Sequence, residues 1–153
     1  MAIEVERKFL VTSSTWQAQV RSRYSVRQVY LALTDSASVR VRIVDDCSAS
    51  MTVKSTHPCV TRAEFEYPIP VGDAEKMFRV CLGNPIEKTR HIVPAGGTLV
   101  WEVDVFGGAL QGLVIAEIEL PHANASFERP SWLGTEVTDD RRYYNSSLAT
   151  VHR

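Results

Sequence analysis

Glu4, Glu6 and Lys8 occupy alternate positions next to the apolar run Phe9-Leu10-Val11. In an extended strand, alternate side chains share one face about 6.6 Å apart. Two carboxylates and an ammonium would then line one surface, with Ile3, Val5 and Phe9 on the other. Paired carboxylates beside a cation suit a divalent metal that itself holds an anionic ligand. Taken alone, the segment equally fits a strand with one solvated, charged face.

The spacing recurs along most of the chain. Arg40 and Arg42 flank Val41, and Lys54 follows Thr52-Val53. Glu64 and Glu66 flank Phe65, Lys88 and Arg90 flank Thr89, Glu102 and Asp104 flank Val103, and Glu117 and Glu119 flank Ile118. The intervening residues are mostly β-branched or aromatic, which favours strands. Ordinary solvated faces mix polar types, and like charges on adjacent strands repel. Here the pairs are sorted by sign, eight carboxylates against six cations. If the sheet curls with this face inward, the charges must compensate one another or be met by metal ions and a polyanion. The pattern predicts a concave, charged binding surface.

The elements that must position these residues read as strands over 2–11, 26–33, 39–44, 49–54, 62–69, 86–93, 98–106 and 113–120. Asp45-Asp46-Cys47-Ser48 makes a hairpin turn. Ser13 and Ser14 open a short helix to about Arg23, with Trp16 and Val20 on its buried side. A second helix runs from Asp73 to Leu82 and stops at Gly83, and a third from about Arg142 to Val151. A short segment near 123–128 and a loop with Pro130 and Trp132 precede it. Eight antiparallel strands close into a barrel wide enough for one small ligand. Phe9, Leu10, Val41, Val53, Phe65, Val103 and Ile118 are expected under the connecting helices, and Arg7 points away from Lys8.

At 153 residues, 44% apolar and 23% charged, the chain is expected to be a single domain spanning 1–153, mainly β with added helices. A net charge of −1 supplies no field for nucleic acid, and the paired cations suit a small anion better than a long one. No apolar run reaches the length of a membrane span, and no secretory leader is evident. Cys47, Cys59 and Cys81 are odd in number and widely spaced, which fits free thiols. A cytoplasmic protein acting on a small molecule follows, without nucleic-acid or membrane partners, as a monomer or homodimer. The sequons at Asn124 and Asn145 are read as chance. There is no phosphate-binding glycine loop, dinucleotide fingerprint or serine-hydrolase elbow, and His57, His91, His122 and His152 lack zinc-ligand spacing. Any chemistry falls to carboxylates, cations and a divalent metal, Mg2+ or Mn2+ by its oxygen ligands.

Glu4-Val5-Glu6-Arg7-Lys8-Phe9-Leu10 resembles the Glu-x-Glu-x-Lys signature of the CYTH superfamily, the triphosphate tunnel metalloenzymes. Arg40-x-Arg42, Thr52-Val53-Lys54, Glu64-x-Glu66, Ile86-Glu87-Lys88-Thr89-Arg90, Glu102-x-Asp104 and Glu117-x-Glu119 fall in that family's order. The tail Trp132-Leu133-Gly134, Glu136-Val137-Thr138, Arg142-Tyr143 and Asn145 is similar to its short bacterial members. The resemblance covers essentially the whole chain. It implies an eight-stranded antiparallel closed tunnel and metal-dependent hydrolysis of a triphosphate, with inorganic tripolyphosphate the leading substrate.

By the same resemblance, Glu4 and Glu6 bind the metal, and Glu117 and Glu119 are the next ligands. Glu64, Glu66, Glu102 and Asp104 are divided between metal binding and holding cations in place. Lys8, Arg40, Arg42, Lys54, Lys88 and Arg90 bind phosphate. Lys88 and Tyr30 are the catalytic pair, since a lysine among cations loses its proton more easily. Arg141 stands where similar proteins often carry Lys, and the last helix is expected to plug one end. Thiamine triphosphatase, adenylyl cyclase and a non-catalytic triphosphate or polyphosphate binder remain alternatives. The first of these would need an aromatic residue such as Trp16, Trp101 or Trp132 at a tunnel mouth.

Overall fold

The computed structural model describes residues 2–55 and 61–149, with 2–4, 61 and 62 described by their backbone alone. His57, Cys59 and His152 lie outside the described residues, and so does the side chain of Glu4. Among the described residues nine strands form: β1 (Ala2–Val11), β2 (Ser22–Leu33), β3 (Ala37–Val44), β4 (Ser48–Ser55), β5 (Thr61–Ile69), β6 (Leu82–Pro94), β7 (Val100–Phe106), β8 (Val114–Glu119) and β9 (Leu133–Glu136). Two short helices, α1 (Val71–Met77) and α2 (Asn145–Leu148), accompany 3-10 turns at Thr15–Gln19, Phe78–Val80, Gly108–Leu110 and Arg141–Tyr143.

The strand order is β5-β4-β3-β2-β6-β7-β8-β1-β9, with β5 also paired to β1. Every pairing is antiparallel. The eight expected strands are present, but the ring returns on itself with an offset. Ala2–Val5 pair with β5, whereas Glu6–Leu10 pair with β8. The edge of β1 that leaves β5 is taken up by β9, at Phe9 and Val11. The wall beside β1 is therefore completed by the C-terminal segment and not by a continuous ladder.

That joint depends on a close approach. A Cβ on Gly134 would meet the Leu10 carbonyl oxygen and Thr12 Cγ2, each at 3.0 Å. Gly134→Ala is expected to destabilise the fold by about 1–3 kcal/mol, the usual cost of overpacking. Denaturant unfolding would measure it, and an unchanged midpoint would show that β9 shifts freely.

Local chemistry explains most elements. Alternation of β-branched and charged residues favours two-faced strands, and Asp45 and Asp46 take positive φ (51° and 56°) in the turn joining β3 to β4. The expected helix after Ser14 is only a 3-10 turn, which still buries Trp16. The helix at 73–82 ends as a 3-10 turn at Val80, because the chain becomes extended at Cys81 before Gly83 (φ 63°). Gly83 lies in the bulge where β6 slips register against β2.

The apolar faces point outwards into two clusters. Phe9, Trp101, Val103 and Ile118 pack with Trp16 and Trp132 on one side. Trp101 meets Phe9 and Trp132 edge-on, at centroid distances of 5.7 and 5.5 Å. Val29, Val41 and Ile43 pack under α1 on the other side. Phe65 departs from expectation: it is 36% exposed, because α1 does not extend over the outer face of β5 there. Leu10 shares the face of Lys8 and not that of Phe9, as strand parity requires.

Candidate active site

Strand parity brings the alternating charges onto the inner wall, and the antiparallel register keeps them level. Tyr30 lies opposite Arg40, Arg40 opposite Thr52, and Thr52 opposite Glu66. Arg90 lies opposite Asp104, Glu102 opposite Glu117, and Glu6 opposite Glu119. Two adjoining chambers result, sharing Glu6, Arg40, Lys54 and Asn145. The outer one, about 190 Å³, also has Arg42, Glu64, Glu66, Arg90, Glu102, Glu117 and Glu119 in its wall, all charged. The inner one, about 50 Å³, also has Lys8, Tyr30, Ser38, Thr52, Ser55, Tyr144 and Ser146. Ile86, Phe106, Leu110, Ile115, Leu148 and Ala149 pack with Tyr30 into an apolar plug. The C-terminal segment contributes Leu148 and Ala149 to the plug. The helix expected from Arg142 is broken, however: Arg141–Tyr143 is a 3-10 turn and Tyr144 is extended (ψ 138°), so α2 begins only at Asn145, and Val151 lies outside the described residues.

The cations divide into two kinds. Four of them are met by carboxylates. Lys88 Nζ lies 2.7 Å from Asp104 Oδ2, with both side chains sealed from solvent. Arg90 donates from Nε and Nη2 to the two oxygens of Asp104, at 2.8 Å each, and from Nη1 to Glu102 at 3.1 Å. Lys8 Nζ donates to the Tyr143 carbonyl at 3.0 Å and sits 3.8 Å from Glu117. Lys54 Nζ lies 3.5 Å from Glu6 and 3.9 Å from Glu64. Arg40 and Arg42 have no carboxylate partner among the described residues. Arg42 donates from Nε and Nη2 to Oε1 of Gln28, at 3.0 and 2.9 Å, and Arg40 donates to the Thr52 hydroxyl at 3.2 Å. Arg40 Nε and Gln28 Nε2 are buried donors without a partner among the described residues. Buried donors are rarely left so. The β2–β4 wall therefore carries positive charge and donor capacity that a phosphate would satisfy.

Burial sets the electrostatics. It pushes the Lys88 amine down to about 7, with Arg90 and Arg42 adding to the fall and Asp104 opposing it. Burial also lowers Arg42 to about 10, with Arg40 and Arg90 adding to the effect. It raises the Glu102 carboxyl, which Glu117 and Asp104 raise further against the pull of Arg90. Burial works against the charged form of Asp104 too, yet Lys88 and Arg90 hold its carboxyl below the usual range.

Ten of the expected site residues meet in the outer chamber. Lys88 and Asp104 line neither chamber and lie buried against each other. Asp104 has both oxygens engaged by Arg90 and Lys88, which removes it from the pool of free carboxylates. Tyr30 reaches the inner chamber and also packs into the plug. Arg7 bonds to Glu136 on the outside, and the exposed Arg141 lines neither chamber. Among the described residues no three carboxylates converge tightly enough to hold a metal by themselves. The donor set nonetheless suits one, because Glu6–Glu119 and Glu102–Glu117 are like-charged pairs directly opposed across neighbouring strands. Like charges so opposed repel, and Lys54, Lys8 and Arg90 beside them neutralise the four carboxylates only in part, which leaves capacity for a divalent cation.

Sequence reasoning missed Gln28, Ser38, Tyr144, Asn145 and Ser146. Gln28 and Ser38 share the parity of Tyr30 and Arg40, so counting by twos would have found them. Asn145 belongs to the tail that resembles the short bacterial members, but nothing in its spacing gives it a place in the site; residues 144–146 reach it through the return of the chain after β9.

The CYTH domain family matches residues 2–153. The chain is 44% identical to an inorganic triphosphatase of Acetivibrio thermocellus, over 97% of its own length and 94% of that protein. It is 37% identical to an inorganic triphosphatase of Nitrosomonas europaea, over 95% and 96% respectively. The solved structure of an inorganic triphosphatase superposes with a TM-score of 0.71 at 35% identity, covering 99% of this chain and 97% of that one.

Proposed function

The chain belongs to the CYTH domain family, and from that premise we propose that it hydrolyses inorganic tripolyphosphate to pyrophosphate and phosphate with Mg2+ or Mn2+. The observation that carries this reading is the division of the tunnel wall. Two arginines without carboxylate partners among the described residues, one of them with an unsatisfied Nε, share the tunnel with a bank of like-charged carboxylate pairs. An anion accounts for the first side and a divalent cation for the second.

Arg40 and Arg42 would take phosphate oxygens from the β3 side, and Lys8 and Lys54 would take them from across the chamber. Glu6, Glu117 and Glu119 would hold the metal with Glu4, and Glu64, Glu66 and Glu102 would steady the lysines and Arg90 or add to the metal set. Bound there, the metal would neutralise charge on the phosphates and on the leaving pyrophosphate. Burial makes the Lys88 ammonium readily deprotonated, at about 7, although it lines neither chamber and rests against Asp104. As base, its side chain turns from Asp104 towards the chamber and accepts the proton lost by the attacking water, while the Tyr30 hydroxyl orients that water. The three tryptophans considered for a thiamine ring are 1–3% exposed in the outer core, which favours an inorganic substrate.

The test is phosphate release from tripolyphosphate beside ATP and thiamine triphosphate, with Mg2+ and then with a chelator. Release should be fastest from tripolyphosphate and stop on chelation. Faster turnover of either organic triphosphate, or none of any, would overturn the reading.

A pH profile tests the base. The active form is the neutral amine, so kcat/KM should rise as pH climbs through about 7 and then level off. A fall over that range would assign Lys88 as an acid instead.

A further inference from the structure

Asn145 lines both chambers, and none of the expected phosphate or metal residues contributes a neutral amide there. It enters from the C-terminal segment, opposite the wall that carries Arg40 and Thr52. Its placement is built into the fold. The Lys8 carbonyl accepts from Val137 N at 2.8 Å, Lys8 Nζ holds the Tyr143 carbonyl at 3.0 Å, and Asn84 N donates to the Ala149 carbonyl at 2.6 Å. The segment is thus pinned before Asn145 by β1 and after it by the bulge of β6. Despite this anchoring, its carboxamide makes no hydrogen bond with the described residues.

A carboxamide is both donor and acceptor. Between the cations Arg40 and Lys54 and the carboxylate Glu6, its NH2 can donate to a phosphate oxygen while its carbonyl accepts from a lysine or arginine. We infer that Asn145 is a substrate-binding residue, whose amide grips a phosphate oxygen of the bound triphosphate from the C-terminal side and completes the site where the wall lacks a ladder. This rests on the triphosphate reading above. It also gives the offset closure of the ring a purpose: the gap beside β1 admits a side chain that no wall strand could supply.

The test uses protein labelled with 15N-asparagine, in which only Asn84, Asn124 and Asn145 contribute side-chain amide signals. Tripolyphosphate is added without divalent metal, to prevent turnover, and binding is followed in parallel by calorimetry. The Asn145 amide protons should shift at saturation while those of Asn124 stay put. In the assay, Asn145→Ala should raise KM for tripolyphosphate about 10–100-fold, the loss of one hydrogen bond to a charged group. Asn145→Asp should raise it further by repelling the anion, and both variants should melt within a few degrees of wild type. Heat of binding with an unmoved Asn145 signal would overturn the inference and leave the triphosphate reading intact. A lowered melting point with an unchanged KM would also overturn it, assigning Asn145 a structural role. No heat with or without Mg2+ would overturn both readings.

Discussion

Glu6→Ala protein should release phosphate from tripolyphosphate about 10³-fold more slowly than wild type at saturating Mg2+, the scale of losing a preorganised charge at the reacting centre. Glu6 lines both chambers and faces Glu119 across the β1–β8 ladder. It also lies 3.5 Å from Lys54 Nζ, so a purely structural role must be separated from metal binding. Glu6→Gln makes the separation. The amide can still accept a hydrogen bond from Lys54, but it loses the charge that a divalent cation needs. If Glu6 binds the metal, both variants lose activity and both need more Mg2+ for half-maximal rate. If Glu6 only holds Lys54, the Gln variant retains most of the wild-type rate and its Mg2+ requirement does not change. Glu6 is partly solvated, so both variants should keep the wild-type circular dichroism spectrum.

Asp104→Ala should destabilise the fold by about 3–5 kcal/mol, since removing one partner of a buried ion pair leaves uncompensated charge behind. Asp104 has no exposed surface and neutralises two buried cations, Lys88 and Arg90. In the variant the Lys88 amine loses the carboxylate that opposes burial, so its proton affinity should fall further. Arg90 keeps only Glu102. The sign of the pH dependence follows from Asp104 itself. Its folded carboxyl is held below the ordinary value, so it contributes stability that is complete above that value and lost as pH falls through the folded one. Wild type should therefore lose stability more steeply than the variant on acidification below about pH 4. Urea unfolding at pH 7 and pH 3 measures both quantities. A loss under 1 kcal/mol at pH 7 would mean that Lys88 and Arg90 readily find water or other partners.

Much of the tunnel was legible before any coordinates. The period-two alternation at Glu4/Glu6/Lys8, Arg40/Arg42, Lys88/Arg90, Glu102/Asp104 and Glu117/Glu119 is a local property, because successive side chains of an extended chain must point to opposite sides. The antiparallel strands, their sign-sorted inner faces and the apolar outer faces follow from it. Helix lengths were less legible. The segments after Ser14 and after Asp73 carry helical residues, but the chain must become extended for Ser22 and Leu82 to enter β2 and β6, and that demand cut both short.

What only the tertiary structure decided is which charges cancel. Lys88 and Arg42 look alike in sequence, each a cation in a strand of alternating residues. One is locked to Asp104 and the other rests on the neutral Gln28. That difference depends on the register between β6 and β7 and between β2 and β3, and register is set by the packing of whole strands. The same holds for the offset closure at β1, the ninth strand, and the arrival of Tyr144, Asn145 and Ser146 beside Lys8, contacts spanning most of the chain. The sequence alone determined that a charged interior would exist, because parity and charge are written residue by residue. Long-range pairing decided where that interior is neutralised and where it stays open to a ligand, because interactions between distant residues have no local signal to read.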